Sequence, residues 1–404
     1  MMRFKLPRVE NVYWRKSGNK NIVKQLIEDA IELDFNFISS HRSFSIIESN
    51  EKRYCLVCNN NIPEGFDYVI LTDKKATKDK LEDNEIKFKD WLKHPKLKKY
   101  STNEIVESWN NDFNFIEEDS LQNKNGLREP QIAALYSILS HLKVSKDVAT
   151  VVMPTGTGKT ETMLTTLVAN KCKKVLITVP SDALRSQIAN KFYKLGLLKE
   201  FKIVSEKSLY PKIGVIQQNF ESSTDLVDFL SECNVVVTTM DVLSNNTNEN
   251  LTLFAENVSH IFIDEAHHTE ADSWSRVRSC FLDRNIIQFT ATPFRNDRQR
   301  LEGKIIFNFS LRRAQEQGYF KPINFLPVRE YDLQKGDRLI ARKAVEKLRE
   351  DIENGYNHIL MARCQNRARA EEIIKIYEEY KDLSPILIHS KIPNKKIILE
   401  AIIK

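Results

Sequence analysis

The sequence predicts an α/β protein: a doubly wound parallel sheet, preceded by an α+β region and followed by a second, partial lobe of the same build. Three observations carry this expectation. From residue 127 onward, short β-branched apolar runs alternate with helical segments, the pattern of buried parallel strands joined by crossover helices. Two glycines of a glycine-poor chain share one loop between a strand run and a helical run. The polar run 122–126 separates this alternation from an irregular N-terminal stretch, which is where a domain boundary belongs. The expected divisions are 1–126, an accessory region; 127–325, a complete doubly wound lobe; and 326–404, part of a second lobe.

Composition narrows the class. A chain of 404 residues has room for two or three domains, each with its own core. It holds 11 glycines, where average usage would give roughly 28, so collagen-like and glycine-linker designs are excluded. Hydrophobic residues at 41% and charged residues at 29% mark a globular chain rather than a disordered one. No apolar run approaches a membrane span, residues 1–7 lack a signal-peptide core, and the six cysteines are dispersed except for one pair. These features lead to the expectation of a cytoplasmic protein with no membrane partner and no disulfide framework. The net charge is +6, and residues 321–404 hold 17 basic against 13 acidic side chains, a lean toward a polyanionic partner.

In chain order, alternation at residues 54–58 and the run 67–71 predict strands. Cys55 and Cys58 have metal-ligand spacing, but without a second pair the strand is favoured over zinc. Residues 87–100 interleave lysines with Phe88, Trp91 and Tyr100, suited to single-stranded nucleic acid. The i, i+3, i+4 spacing of Phe88, Trp91 and Leu92 favours a solvated amphipathic helix instead. Asp73 with Glu85-Ile86-Lys87 loosely echoes a restriction-nuclease site but lies in a polar stretch. Buried strands are then expected at 150–153, 174–179, 213–216, 235–237, 261–263 and 286–289, with a helix over 161–169.

The first chemical signal is Met153-Pro154-Thr155-Gly156-Thr157-Gly158-Lys159-Thr160. Binding a phosphate takes several backbone N–H groups aimed at one point, and glycine permits the tight turn that aims them. Lys159 is placed to reach the β and γ phosphates of ATP, and the Thr160 hydroxyl to ligate Mg²⁺. The second signal is Asp264-Glu265-Ala266-His267-His268, which ends a strand run in a sheet position expected to neighbour the loop. Asp264 suits Mg²⁺ held through water, and Glu265 suits activation of the attacking water. Zinc at His267 and His268 is disfavoured, because adjacent residues rarely converge on one metal.

With these two motifs the chain resembles the superfamily 2 helicases and translocases, and further motifs follow in that family's order. Leu127-Arg128-Glu129-Pro130-Gln131 resembles the element whose glutamine reads the adenine edge, with Gln131 matching. The segments 179–185 and 238–243 resemble two strand-end motifs that grip the nucleic-acid backbone, which would assign Pro180, Ser181, Arg185, Thr239 and Asp241 to that contact. Ser181 and Asp182 are equally natural helix caps. Thr290-Ala291-Thr292-Pro293-Phe294-Arg295 resembles the motif that couples hydrolysis to movement, implying that His267, Thr290 and Thr292 act together. The combination is most similar to the branch related to type I and type III restriction-enzyme motors and repair translocases, which act mostly on DNA. The resemblance implies a RecA-like fold of the phosphate-loop NTPase type, ATP and Mg²⁺ as cofactors, and DNA favoured over RNA.

The C-terminal part departs from the family. Residues 358–364 resemble the first motif of the second lobe, and Ile388-His389-Ser390 its next strand, but no late Gly-Arg motif is found. Arg363, Arg367 and Arg369 look more like a helix face than arginines that stabilise a transferring phosphate. The second lobe therefore reads as incomplete, with a partner subunit or downstream chain expected to supply the rest. Three functions stay open: an ATP-driven motor on DNA, an ATP-gated nucleic-acid binder with little turnover, and an RNA helicase.

Overall fold

The computed structural model describes residues 2–119, 121–268, 271–294, 300–321, 323–389 and 391–392. The chain divides into two compact units, Met1–Lys321 and Pro322–Lys404.

Unit 1 opens with strands β1 (Met2–Lys5), β2 (Val9–Arg15), β3 (Ile22–Glu28), β4 (Glu32–Ser40), β5 (Phe44–Ser49), β6 (Lys52–Val57) and β7 (Tyr68–Thr72), helix α1 (Lys78–Glu82), strand β8 (Phe88–Lys93) and helix α2 (Thr102–Ser108). Six of these strands form a sheet in the order β1-β4-β5-β6-β7-β8. One face is closed by Phe4, Phe35, Ile47, Tyr54, Leu56, Ile70 and Trp91, and the alternate positions Cys55, Val57 and Val69 are buried in a second, smaller cluster. The helix expected around Phe88, Trp91 and Leu92 is the strand β8. Its partner β7 pairs Ile70 with Trp91, and the buried indole N–H donates to Pro7 O at 2.8 Å. Long-range pairing has overridden a helical spacing, and Trp91, on which the disfavoured stacking alternative would draw, is buried.

The remainder of unit 1 comprises α3 (Glu129–Val144), β9 (Ala149–Val152), α4 (Lys159–Ala169), β10 (Val175–Val179), α5 (Asp182–Tyr193), β11 (Lys212–Val215), α6 (Ser223–Ser231), β12 (Val235–Thr239), α7 (Met240–Ser244), α8 (Asn248–Asn257), β13 (His260–Asp264), α9 (Ala271–Cys280), β14 (Asn285–Thr290), β15 (Lys304–Asn308) and α10 (Leu311–Glu316). The sheet order is β15-β9-β14-β13-β10-β12-β11-β3-β2. From β15 to β11 all pairs are parallel, and two hydrophobic clusters cover the two faces. This is the doubly wound RecA-like architecture expected from the sequence, with β15 as a further edge strand.

Two differences bear on function. First, β2 and β3 leave the N-terminal region and join the central sheet, β3 pairing antiparallel with β11. Residue 126 is therefore not a break between packed bodies. Buried Asn21 fixes the junction: its amide donates to Gln218 O at 2.9 Å and accepts the N–H groups of Gln217 and Gln218. Trp14 packs edge-on against Phe220 and Phe229. Second, β14 lies between the loop strand β9 and the carboxylate strand β13, which are therefore not the neighbours that the motifs alone suggest.

Unit 2 contains α11 (Leu333–Glu353) and α12 (Arg367–Tyr377), packed through Ala341, Val345 and Tyr377. The strands expected near 358–361 and 385–388 are not formed among its described residues. Ile359 and Met361 are 63% and 89% exposed, so these apolar runs lack the flanking strands that would bury and hydrogen-bond them. Ser390 lies outside the described residues.

Candidate active site

The site lies at the C-terminal ends of β9, β14 and β13, where ligands of open α/β sheets bind. β9 ends at Val152, and Met153 N–H donates to Thr290 O at 2.9 Å, tying the loop's root to the end of β14. Gly156 and Gly158 then adopt φ of 86° and 94°, a region costly for any residue with a side chain. A Cβ at Gly158 would land on the Gln131 amide. Between them, the Thr157 N–H and hydroxyl both donate to Pro154 O, at 3.2 and 2.6 Å. Pro154 is buried while Thr155 is exposed. α4 starts at Lys159, so the positive end of an 11-residue helix faces the loop.

Lys159 is only 7% exposed, and its Nζ lies 2.9 Å from Glu265 Oε1. This pair spans the intervening strand and brings together the two signals that the sequence separates by 105 residues. Asp264, the last residue of β13, is buried. Burial, then the neighbouring Glu265, pushes its carboxyl up to about 6, while Lys159 opposes the shift. Glu265 has φ of +49°, a strained conformation for a residue with a side chain and one that clusters at functional sites. The strain turns its carboxylate back toward the loop, with Oε1 on Lys159 and Oε2 buried without a hydrogen-bond partner.

His267 Nδ1 lies 3.0 Å from Thr290 Oγ1 and 3.5 Å from Glu265 Oε2. The Thr290 hydroxyl donates to Thr292 O at 2.7 Å, so it is an acceptor toward His267, and the bond assigns the proton of the neutral ring to Nδ1. His267, Thr290 and Thr292 thus form one chain of contacts between the carboxylates and the end of β14. Thr160, partly buried at the start of α4, and Asp264 are the residues present for a cation. Magnesium keeps several waters and takes few protein ligands, so a hydroxyl and a carboxylate beside a phosphate cradle fit it. Among the described residues no cluster of three or more His, Cys, Asp or Glu side chains forms a metal site. The His268 side chain and Arg295 lie outside the described residues.

Gln131 is buried against the loop. Its amide oxygen accepts Arg128 N–H at 2.8 Å and its amide nitrogen donates to Gly158 O at 3.5 Å, so in this state it contacts the loop backbone. The other strand-end residues gather at the adjacent ends of β10 and β12, which pair Val179 with Thr239. Pro180 follows β10 directly. Ser181 caps α5 by accepting Leu184 N–H, and Thr239 caps α7 by accepting Val242 N–H. Asp241 is exposed. Arg185 is 6% exposed and pairs with Asp182 at 2.7 Å, yet its Nε and Nη1 lack a well-aligned hydrogen bond.

In the N-terminal sheet, Asp73 uses its carboxylate to accept Lys87 N–H, and Glu85 pairs with Lys74. The nuclease-like arrangement is thus spent on local bonds. Cys55 is buried and Cys58 exposed. Sequence reasoning missed Arg128, which donates to Gly156 O at 3.0 Å, and Tyr319 and Phe320, which pack beside the loop. Nothing local to 319–320 announces a contact with residues some 160 positions earlier.

Residues 124–295 match the family model described as "Type III restriction enzyme, res subunit". No curated protein matches the chain. Solved structures similar to it include the UvsW helicase from bacteriophage T4, at 17% identity, TM-score 0.32, covering 48% of this chain and 62% of that one. Another is a nuclease-deletion mutant of the Type ISP restriction-modification enzyme LlaGI in complex with a DNA substrate mimic, at 17% identity, TM-score 0.34 and coverages of 69% and 31%. A third is the DEAD-box helicase Mss116 bound to ssRNA and UDP-BeF, at 15% identity, TM-score 0.40 and coverages of 75% and 64%. The chain spans less than two thirds of each.

Proposed function

We propose, from the match of residues 124–295 to the type III restriction enzyme res subunit model, that the protein is a superfamily 2 motor that hydrolyses ATP with Mg²⁺ to move along DNA. The observation that carries the reading is the Lys159–Glu265 pair beside buried Asp264, with Glu265 Oε2 buried, accepting no hydrogen bond and 3.5 Å from His267 Nδ1. When a triphosphate enters, Lys159 leaves Glu265 for phosphate oxygens, and the freed carboxylate orients the attacking water. Thr160 and Asp264 would hold Mg²⁺, which when bound would supply charge neutralisation on the phosphates. His267, Thr290 and Thr292 link this change to the strand ends where Pro180, Ser181, Arg185, Thr239 and Asp241 meet the nucleic-acid backbone.

Steady-state ATP hydrolysis with and without DNA tests the proposal. Stimulated turnover is expected to fall to background in both Lys159→Ala and Glu265→Gln. Hydrolysis insensitive to either change would remove the assignment. Adding single-stranded DNA and RNA in competition decides the polymer, and a preference for RNA would reassign the chain as an RNA helicase.

One observation favours a second reading, an ATP-gated binder with little turnover. Arg369 is ion-paired with Asp337 and Glu372, and Arg367 with Glu371, so neither arginine is free within its unit to stabilise a phosphate in transfer. In that case ATP alters DNA affinity in a filter-binding assay while phosphate release stays at background.

A further inference from the structure

Gly156, the more exposed of the loop glycines, rests against the last residues of unit 1. A Cβ built on it would lie 3.2 Å from Phe320 Cζ and 3.6 Å from Cε1. Its carbonyl accepts from Arg128, and the same guanidinium lies over the Tyr319 ring, 5.2 Å from the centroid. This corner is anchored on both sides of the loop. Tyr319 N–H donates to Ala314 O, and the ring meets Phe309 edge-on. Phe309 N–H in turn donates to Val152 O, the last residue of the loop strand. At the start of α3, Glu129 accepts Gln317 Nε2 at 2.6 Å and pairs with Arg313 at 3.3 Å.

The loop itself is held by bonds that a triphosphate has to replace. Thr157 N–H points at Pro154 O rather than outward, and Lys159 is engaged by Glu265. Presenting the 156–158 amides to phosphate requires rotation at the two left-handed glycines. That rotation displaces Gly156 relative to the Arg128 guanidinium and the Phe320 ring. Residue 321 then leads directly into unit 2.

We propose that Phe320, set beside Gly156 next to the Arg128–Tyr319 pair, does not hold the phosphate loop for binding but carries the loop's nucleotide-dependent movement into the connecting chain. The proposal rests on the reading that the loop takes ATP. It assigns Phe320 no contact with the reacting atoms and no contact with the base.

Full-length protein carrying Phe320→Ala, Phe320→Leu or Phe320→Trp tests it, with a fluorescent ATP analogue for binding and phosphate release for turnover. In Phe320→Ala, nucleotide Kd and basal kcat are expected within about threefold of wild type, while stimulation by DNA falls about tenfold or more. Phe320→Leu, which still packs on Gly156, is expected to recover most of the stimulation. In Phe320→Trp, indole emission is expected to shift when the analogue binds without DNA, and to stop shifting when Lys159→Ala is added. Three results would overturn the proposal: full stimulation in Phe320→Ala; a loss of affinity that accounts for the loss of rate, or an altered preference for ATP over GTP, either of which indicates direct contact with the nucleotide; or unchanged emission while the analogue binds. Should the wild type bind ATP without turnover, hydrolysis fails as a function, and the emission shift still decides the role of Phe320 because it requires binding alone.

Discussion

At the scale of single residues, the carboxylate strand β13 begins as well as ends on a polar group under constraint. His260 is buried, and its Nε2 faces the side-chain amides of Asn170 and Asn285 at 3.0 and 3.1 Å. Ser259 Oγ donates to Lys174 O and lies 2.9 Å from His260 Nδ1, so Nδ1 carries the proton and Nε2 accepts from the two amides. Protonating Nε2 would set a cation against two donors and Lys146. Burial first, and Lys146 second, hold the pKa down at about 4. A depressed folded-state value means that the unfolded chain takes up the proton first. The stabilisation is complete above the unfolded value near 6.5 and is lost as pH falls toward 4. Between pH 7 and pH 5 the loss attributable to His260 is about 2 kcal/mol. Urea denaturation at the two pH values checks it: the drop in stability is expected to be smaller by that amount in His260→Gln, and equal drops in both proteins would refute the assignment.

At the scale of elements, the strand-end hydroxyls have two roles that one substitution separates. Ser181 caps α5, and Ser181→Ala is expected to cost about 1 kcal/mol whether or not DNA binds there. Aspartate caps a helix as well as serine does, yet its charge repels a phosphate backbone. Ser181→Asp is therefore expected to keep thermal stability within about 0.5 kcal/mol of wild type while weakening DNA binding by about tenfold. Unchanged affinity in Ser181→Asp would leave Ser181 a cap and nothing more. Elements also mark where the sequence was legible and where it was not. β9, β10, β12, β13 and β14 could be placed because each is a buried apolar run whose two faces both meet the core, so burial pattern and local propensity agree. Gly156 and Gly158 were legible because two glycines of a glycine-poor chain fall in one loop between a strand run and a helical run. β8 was not, since the spacing of Phe88, Trp91 and Leu92 fits a helix and only pairing with β7 decides otherwise. The two motifs that hold Lys159 and Glu265 were each legible, but their contact was not, and Phe320 on Gly156 likewise joins residues far apart in the chain and leaves no local trace.

At the scale of the whole molecule, the consequential feature is the hairpin β2–β3, which the motifs would assign to an accessory region and the hydrogen bonds assign to the central sheet. It covers the outer edge of β11, whose unpaired N–H and C=O groups would otherwise offer a template for another strand. Tyr193 donates to Glu10 at 2.7 Å, Gln25 donates to Tyr210 O at 2.8 Å, and Lys16 pairs with Asp225. The hairpin is thereby bonded to α5, α6 and the approach to β11. No helix among the described residues is long and apolar enough to cross a membrane. A chain that starts at residue 101 keeps every nucleotide-site motif but loses this hairpin. It is expected to be recovered mainly as aggregate, with no cooperative thermal transition. Asn21→Ala makes the milder form of the same test. It leaves the hairpin in place but strips partners from Gln217 N–H, Gln218 N–H and Gln218 O, at a cost of about 1 to 3 kcal/mol. A folded, monomeric protein from residue 101 onward, measured by light scattering and circular dichroism, would show that the lobe ends where its motifs begin and that β2–β3 only decorate it. Aggregation of that chain, together with the smaller loss in Asn21→Ala, would make the hairpin β2–β3 part of the parallel-sheet lobe's own fold.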